Sequence, residues 1–379
     1  MNAFRIAGVL IAIGILTALL SIYNKYSGEP FRVGYAGTIS GKYAAMGISG
    51  RNGAVLAMEE INAQGGIKNR ALEFSVVDDA GDPAATLDRF KELKQKEIRI
   101  VVGPFTTAAA TAVLPFINEH GILTIGPQNA GENLAKTDDF FIKLFPSTKT
   151  IGERIAELAV SKGLKRVAII TDHRNKRFGD TMIRGAVPVF EQRGVKVTGV
   201  VEFYSSKNVS HSDLAEGAMT GAPQGIFIIS SPIDTALLAQ NLKQFDKDVQ
   251  LFTSPWAISK ELVENGGGAV EGLLFYVPFL SEDESPSYQG FKDRYRKRFS
   301  EEPTHVSIFN YEAVNLLAKG LEAESSGDPA KVKSALLGIR EFEGIQSEFT
   351  LDENGDADRS LYLHQIKSGK FIPLQAISQ

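Results

Sequence analysis

The stretch RVGYAGTISGKYAAMGISGRNGAV, residues 32–55, decides the fold because RVAIITDHRNKRFGDTMIRGAV, residues 166–187, follows the same plan. Each stretch opens with Arg-Val and an apolar run, continues to a bulky residue followed by glycine, and reaches Gly-Ala-Val after five further residues. This order predicts a strand, a loop and a helix that are built twice. Two similar α/β lobes facing each other across a cleft would explain the repeat, and such a cleft can hold a small molecule.

Composition narrows the class of protein. A length of 379 residues predicts two domains, and a hydrophobic content of 43% is ordinary for a globular protein with a large core. The net charge of −4 and the lack of a basic stripe with interleaved aromatic residues argue against nucleic-acid binding. The chain has no cysteine, which excludes disulfides, thiolate metal sites, a cysteine nucleophile and a lipid-modified N-terminal cysteine.

The first residues differ in kind from the rest. Ile6–Tyr23 is a run without any charged residue, preceded by Arg5 and followed by polar residues. This pattern predicts that residues 1–28 are a signal peptide or an N-terminal membrane anchor, and a buried globular helix is the remaining alternative. Both leading interpretations export the remainder of the chain to a periplasmic or extracytoplasmic location, where residues 6–23 could attach it to the inner membrane.

The remainder alternates apolar strand-like runs with helical patterns, and the alternation restarts after Pro146. Alternating strands and helices predict right-handed crossovers and parallel sheets. The last third is less regular, and its end predicts a hairpin of Phe349–Asp352 with Tyr362–Ile366. No low-complexity linker separates the two halves, so we expect several chain crossings between the lobes.

Polar loops at predicted strand ends are the candidate ligand site of the first lobe. Thr106 and Thr107 follow the third strand and open a helix whose first amides lack internal partners, an arrangement that suits a carboxylate. The alternative is plain helix capping, and for the neighbouring loop it is a structural turn. The candidate residues of these two loops are Phe105, Thr106, Thr107, Gln128, Asn129 and Ala130.

Equivalent strand ends in the second lobe carry Ser231, Asp234 and Trp256, the only tryptophan. A single tryptophan is often a core residue, but its position directly after a strand also fits a wall of the ligand cleft.

Signals for catalysis are weak. The five histidines show no zinc-ligand spacing, no Gly-x-Ser-x-Gly elbow is present, and Gly37–Lys42 departs from the phosphate-loop pattern because Tyr43 stands where Ser or Thr is needed. The acidic turn at Asp352–Asp356 lacks the twelfth-position glutamate of a calcium loop. We therefore expect no enzymatic activity, no metal and no cofactor.

Several motifs together resemble the type I periplasmic binding proteins of branched-chain amino-acid and amide ABC transporters. The resemblance runs from about Phe31 to near the C-terminus. The motifs are Ala57-Met58-Glu59-Glu60-Ile61-Asn62-Ala63-Gln64-Gly65-Gly66-Ile67, Asp78-Asp79-Ala80-Gly81-Asp82-Pro83, Gly103 to Thr107, Gly121-Ile122-Leu123 with Gly126-Pro127, and Phe178-Gly179. The resemblance implies two Rossmann-like lobes with parallel sheets, joined by three hinge crossings that close on ligand like a Venus flytrap.

On this resemblance, residues 29–147 plus 278–345 form the N-terminal lobe, and residues 148–277 plus 346–379 form the C-terminal lobe. The loops matching Thr106-Thr107 and Gln128-Asn129-Ala130 hold an amino acid's carboxylate and ammonium in the family. Met46 and Phe178 stand where bulky residues line the cleft, and Tyr43 could extend that wall.

The chain departs from the leucine-binding pattern at three of these positions. Trp256 falls where an acidic residue pairs with the ligand ammonium, Ala130 replaces a hydroxyl residue, and Pro232 replaces an aromatic one. An aromatic or otherwise apolar carboxylic acid suits such walls better than a polar amino acid. Two alternatives remain: Asp234 or Asp172 could supply the missing charge, or the face of Trp256 could hold a cation.

The first hypothesis for function is a solute-binding protein of an ABC importer, a monomer that partners with a small-molecule ligand and an inner-membrane permease. The second is a membrane-anchored sensory domain whose closure signals to a membrane partner. It is favoured by an uncleaved anchor and by the missing lipid-attachment cysteine. The third and weakest is a hydrolase.

Overall fold

The computed structural model describes residue 26 and residues 28–41, 43–135, 137–205, 208–280 and 283–374. Within these residues the strands form a five-stranded, a seven-stranded and a three-stranded sheet. The strands are β1 (Phe31–Gly37), β2 (Leu72–Asp78), β3 (Ile100–Val102), β4 (Leu123–Gly126), β5 (Phe141–Lys143), β6 (Arg166–Asp172), β7 (Lys196–Phe203), β8 (Gly225–Ile229), β9 (Gln250–Thr253), β10 (Leu274–Val277), β11 (Glu341–Glu343), β12 (Glu348–Leu351), β13 (Ala357–Asp358), β14 (Tyr362–Lys367) and β15 (Lys370–Pro373).

Helices cover the faces of the two larger sheets. They are α1 (Ala44–Ala63), α2 (Pro83–Gln95), α3 (Thr107–His120), α4 (Thr148–Ser161), α5 (Lys176–Gln192), α6 (His211–Met219), α7 (Pro232–Phe245), α8 (Lys260–Gly266), α9 (Pro286–Phe299), α10 (His305–Ala323) and α11 (Pro329–Ile339).

The first sheet has the order β2-β1-β3-β4-β5 and is parallel throughout. The second has the order β15-β14-β10-β9-β8-β6-β7 and is parallel except around β14, which pairs antiparallel with both β10 and the edge strand β15. Two lobes with parallel sheets confirm the predicted α/β class. The repeated strand, loop and helix correspond to β1 and α1 in one lobe (residues 32–55) and to β6 and α5 in the other (residues 166–187).

The glycines of the repeat have the same packing role in both lobes. A Cβ atom at Gly53 of α1 would collide with the backbone carbonyl of Ser307 in α10. A Cβ atom at Gly185 of α5 would collide with the backbone carbonyl of Lys149 in α4. Glycine thus lets each helix approach the backbone of a neighbouring helix more closely than any side chain would allow.

The chain passes three times between the lobes, after β5, after β10 and after β13. Helices α10 and α11 return to the first lobe, where Leu317 and Leu336 join the core built on β1, β3 and β4. Helix α4 belongs to the second lobe, because Ile151 and Ile155 pack into the core around β6 and β8.

The predicted terminal hairpin is wrong. Strand β12 pairs with β11 and β13, whereas β14 pairs with β10 and β15. Phe349, Leu351 and Ala357 of the three-stranded sheet lie in the core of the first lobe. The segment up to Asp358 therefore packs with the first lobe, although the predicted lobe boundary falls at residue 345.

Among the described residues, no helix is both long and apolar enough to cross a membrane. The predicted signal peptide or anchor, with its apolar run at residues 6–23, lies outside the described residues apart from Tyr26 and Gly28.

Candidate functional site

A cavity lies between the lobes where the carboxyl ends of both sets of parallel strands face each other. Its volume is about 40 Å³, which admits water but is below the roughly 150 Å³ that holds a benzene ring. Its lining comes from both lobes and consists of Met46, Phe105, Thr106, Thr107, Gln128, Phe145, Asn175, Phe178, Pro255, Trp256 and His305. None of these side chains carries a full charge at neutral pH, because burial lowers the pKa of His305 to about 4.

The two predicted loops of the first lobe, residues 105–107 and 128–130, are hydrogen-bonded to each other beside this cavity. We call this pair of loops the ledge. The amide of Asn129 donates to the Thr106 carbonyl at 2.8 Å, and the backbone N–H of Ala130 donates to Thr107 Oγ1 at 3.2 Å. Asn129 and Ala130 are fully buried and do not belong to the cavity lining. They hold the ledge in place, while Thr106, Thr107 and Gln128 face the cavity.

Thr106 is the N-cap of α3. Its hydroxyl accepts a hydrogen bond from the backbone N–H of Ala109 at 3.1 Å, so the capping interpretation is correct for this residue. The free amides at this helix end and the positive pole of the helix dipole favour an anion in front of them.

Aromatic side chains form the opposite wall. Phe178 and Trp256 pack edge to face with ring centroids 6.1 Å apart, and both lie in the second lobe. Tyr43 reaches across from the first lobe, joins the core of the second, and packs on Trp256. The Arg174 guanidinium lies 5.1 Å from the centroid of the Tyr43 ring, and burial raises the pKa of Tyr43, so its phenol is neutral.

Two further predicted residues lie away from the cavity lining. Asp234 pairs with the Ser231 hydroxyl and with His211 Nε2, the latter at 3.2 Å. These contacts engage Ser231 and Asp234 with each other at the start of α7. A side chain at a strand end can turn back onto its own loop, and sequence position alone does not reveal this.

Asp172 is engaged in a similar way. Its carboxylate accepts hydrogen bonds from the N–H of Arg174 at 3.0 Å and from the Ser205 hydroxyl at 2.6 Å. No acidic side chain among the described residues lines the cavity, so both suggested acids lie away from its lining.

Several buried polar atoms at the cavity have no hydrogen-bond partner among the described residues. They include Gln128 Nε2 from the first lobe and Asn175 Oδ1 from the second. Three nearby atoms are also buried without a hydrogen-bond partner among the described residues: the hydroxyl oxygens of Tyr43 and Ser254 and the Oδ1 atom of Asn129. Because nearly all buried polar groups in proteins are paired, such a group of atoms is typical of a site that meets a ligand or water.

Sequence reasoning missed Phe145, Asn175, Pro255 and His305. Asn175 and Pro255 carried a usable signal, because they lie within three residues of Phe178 and Trp256. His305 carried none: it begins α10 and reaches the cavity only through the fold, where its ring stacks on Phe279 with centroids 4.9 Å apart.

Comparison with known proteins agrees with this architecture. A family profile described as periplasmic binding protein matches residues 30–370. The leucine-, isoleucine-, valine-, threonine- and alanine-binding protein of Pseudomonas aeruginosa is 23% identical over 331 residues, covering 87% of this chain and 88% of that protein.

Two solved structures share the fold. The leucine-binding protein LivK of Thermotoga maritima has a TM-score of 0.82 at 22% identity and covers 91% of this chain and 97% of its own. A solute-binding protein of an ABC transporter from R. palustris, solved in complex with benzoate, has a TM-score of 0.81 at 20% identity and covers 91% of this chain and 95% of its own.

Proposed function

The chain belongs to the periplasmic binding protein family, and we propose that it is the substrate-binding protein of an ABC importer for a small aromatic or apolar carboxylic acid. Members of this family bind solutes outside the cytoplasm and are not enzymes, so the hydrolase alternative is wrong. The partners we propose are the ligand and a membrane permease.

The observation that carries the ligand class is the composition of the cavity lining. Apolar and aromatic side chains from both lobes enclose it, none of the described lining residues is acidic, and the amino end of α3 faces it through Thr106 and Thr107. A helix N-terminus stabilises a carboxylate, whereas an ammonium in the same cavity would stay unpaired at a high cost. These features favour a carboxylic acid that lacks an α-amino group.

The similar proteins bind ligands of two classes, amino acids and aromatic acids. The Pseudomonas aeruginosa relative is named for aliphatic amino acids, and the R. palustris structure holds benzoate. In the leucine-binding proteins an acidic residue pairs with the ligand ammonium. On the resemblance, this chain has Trp256 at that position, and Phe178 packs on it. The lining therefore supports an acid of the benzoate kind over an amino acid.

Closure of the two lobes provides the mechanism. The ligand contacts Thr107 and Gln128 on one side and Phe178 and Trp256 on the other, so it favours the state in which both sides meet. A ligand shifts an open–closed equilibrium only by its differential affinity for the two states, and contacts from both lobes exist only in the closed one. The permease would then recognise the closed form.

A sensory role is the second candidate. The uncharged run Ile6–Tyr23 and the absence of a lipid-attachment cysteine favour a domain that stays anchored and signals on closure. A permease gene beside this one would favour import, and a kinase or cyclase gene would favour sensing.

Calorimetry with benzoate and with leucine tests the ligand class. We expect benzoate to bind and leucine to bind at least about tenfold more weakly, because a tenfold change corresponds to about 1.4 kcal/mol and burying an unpaired ammonium costs more. Trp256→Ala should weaken benzoate binding, while the same change at the half-exposed Phe245 should leave it unaltered. Tighter binding of leucine than of benzoate would contradict the proposal.

A further inference from the structure

Asn175 stands at the N-cap position of α5 but does not cap the helix. Asparagine is among the preferred N-cap residues because its side-chain oxygen accepts a hydrogen bond from the first helical amides. Here the N-cap residue makes no side-chain cap hydrogen bond. Asn175 instead lines the cavity, and only 8% of its surface is exposed.

The Oδ1 atom of Asn175 is therefore a spare acceptor in a buried position. It has no hydrogen-bond partner among the described residues. A buried acceptor without a donor is unfavourable, so the arrangement is stable only when something else in the cavity donates to it. The nearby apolar side chains, such as Phe178 and Pro255, have no donor to offer.

The first lobe presents the complementary group. Gln128 Nε2 is a buried donor that is also unpaired among the described residues, so Gln128 and Asn175 do not satisfy each other. The cavity thus offers a donor from one lobe and an acceptor from the other. A ligand that pairs both carries an acceptor group at one position and a donor group at another.

The ligand's donor must be neutral. No acidic residue in the described part of the chain lines the cavity, and the imidazole of His305 is uncharged because burial lowers its pKa. An ammonium would find no counter-charge, whereas a hydroxyl needs only an acceptor. On an aromatic acid, the neutral donor of this kind is a ring hydroxyl.

We infer that the ligand is a hydroxylated single-ring aromatic acid whose hydroxyl donates to Asn175 Oδ1 while its carboxylate accepts from Gln128 Nε2 and the amino end of α3. This inference deepens the proposed function and rests on it. The cavity of about 40 Å³ is smaller than the roughly 150 Å³ that holds a benzene ring, so binding requires the lobes to separate slightly, and the edge-to-face pair of Phe178 and Trp256 then supplies the wall for a single ring.

The test is calorimetry with four acids: benzoate, 4-hydroxybenzoate, 3-hydroxybenzoate and 4-methylbenzoate. 4-Methylbenzoate matches 4-hydroxybenzoate in size, but its methyl group cannot donate a hydrogen bond. We expect at least one hydroxybenzoate to bind about tenfold more tightly than benzoate and 4-methylbenzoate, since a hydrogen bond to a buried acceptor discriminates by about this factor.

Variants at Asn175 locate the effect. Asn175→Leu should remove the preference for the hydroxyl, so that the hydroxybenzoates bind this variant no more tightly than benzoate and 4-methylbenzoate do, because the hydroxyl contact is lost. Asn208→Leu, the same exchange at an exposed residue, should keep the preference. If the leucine variant does not melt cooperatively, Asn175→Ala serves in its place.

The outcomes separate the two proposals. Hydroxybenzoates that bind no more tightly than benzoate and 4-methylbenzoate would overturn the inference and leave the proposed function standing. A preference that survives in both Asn175 variants would also overturn it, because another group then accepts the hydroxyl. Failure of all four acids to bind would remove the proposed ligand class itself.

Discussion

The side chains of Tyr43 and Trp256 pack against each other from opposite lobes, with ring centroids 6.2 Å apart and planes at 57°. Tyr43 belongs to the loop before α1 in the first lobe, yet it lies in the core cluster of the second. Its hydroxyl is buried and has no hydrogen-bond partner among the described residues. The contribution of Tyr43 to closure therefore comes from its ring.

This relationship predicts opposite results for two substitutions of Tyr43. Tyr43→Phe keeps the ring and removes an unpaired hydroxyl, so we expect ligand affinity within about twofold of the wild type. Tyr43→Ala removes an aromatic contact that is worth about 0.5–1.5 kcal/mol beyond its buried area, and we expect affinity to fall by about tenfold or more. Calorimetry measures both. A phenylalanine variant as weak as the alanine variant would contradict the assignment to the ring.

The ledge beside the cavity predicts different roles for adjacent threonines. Thr106→Ala removes an N-cap and should lower the free energy of unfolding by about 0.5–2 kcal/mol in urea titrations. Thr107→Ala should weaken ligand binding by about tenfold or more, because a hydrogen bond to a charged ligand group contributes about 1.5–3 kcal/mol.

Serine at either position keeps the hydroxyl and is the matched control. Thr107→Ala also leaves the buried N–H of Ala130 without its acceptor, so stability must be measured beside affinity. Unchanged affinity in both alanine variants would remove these hydroxyls from the site.

The alternation of apolar runs and helical patterns predicted most of the two parallel sheets, because strands buried on both faces read as continuous apolar stretches. The repeat around Gly53 and Gly185 was informative because both glycines meet a neighbouring backbone. The pairing of β12 and β14 was mispredicted for a physical reason. An alternating pattern indicates a strand but not its partner, and β14 pairs with β10, which lies far away in sequence.

The site was partly predictable. Parallel strand ends meet at one edge of a sheet, which is why Thr107, Gln128 and Trp256 converge on one cavity. The direction of a side chain within its loop is not encoded in that rule. Asn129 turns to the Thr106 carbonyl and Asp234 turns to Ser231, so neither reaches the cavity lining.

A buried ion pair at the third crossing between the lobes gives a prediction about stability. Arg359 and Glu312 lie 2.7 Å apart with side chains only 3% and 4% exposed, and the guanidinium lies 3.8 Å from the ring centroid of Phe349. Removing one partner leaves an uncompensated buried charge, so we expect Arg359→Met to lower the free energy of unfolding by about 3–5 kcal/mol.

The matched control is Arg296→Met, which breaks an exposed pair with Glu302 and should cost at most about 1 kcal/mol. The double variant Arg359→Met with Glu312→Gln should be less destabilised than the sum of the two single variants. Urea unfolding of the wild type, of the single variants at Arg359 and Glu312, and of the double variant measures the coupling. Additive effects would show that the two side chains are energetically independent.

Two buried histidines predict how stability depends on pH. Burial lowers the pKa of His305 and that of His364 to about 4, below the value near 6.5 expected in the unfolded chain. Between these values the unfolded chain binds more protons than the folded one, so the free energy of unfolding falls as pH falls. The contribution is fully present above about pH 6.5 and is lost towards pH 4, up to about 3 kcal/mol for each histidine.

Urea unfolding at pH 7.5, 6.0 and 5.0 tests this dependence. His305→Gln and His364→Gln should each flatten the decline relative to the wild type, because glutamine does not titrate. Carboxylates that titrate in the same range act equally on all three proteins, so the differences isolate the histidines. Parallel pH profiles for the three proteins would refute the assignment.

An α-amino group on the ligand should weaken binding. Phenylalanine and phenylpropionate differ only in that group, and we expect phenylpropionate to bind more tightly. The reason is that no acidic residue lines the cavity among those that the structure describes, and that Asp172 and Asp234 already have partners: Asp172 accepts from Ser205, and Asp234 pairs with His211. Calorimetry with both ligands measures the difference. Tighter binding of phenylalanine that is abolished by Asp234→Asn or by Asp172→Asn would show that one of these acids turns towards the ligand, and the protein would then be an amino-acid receptor.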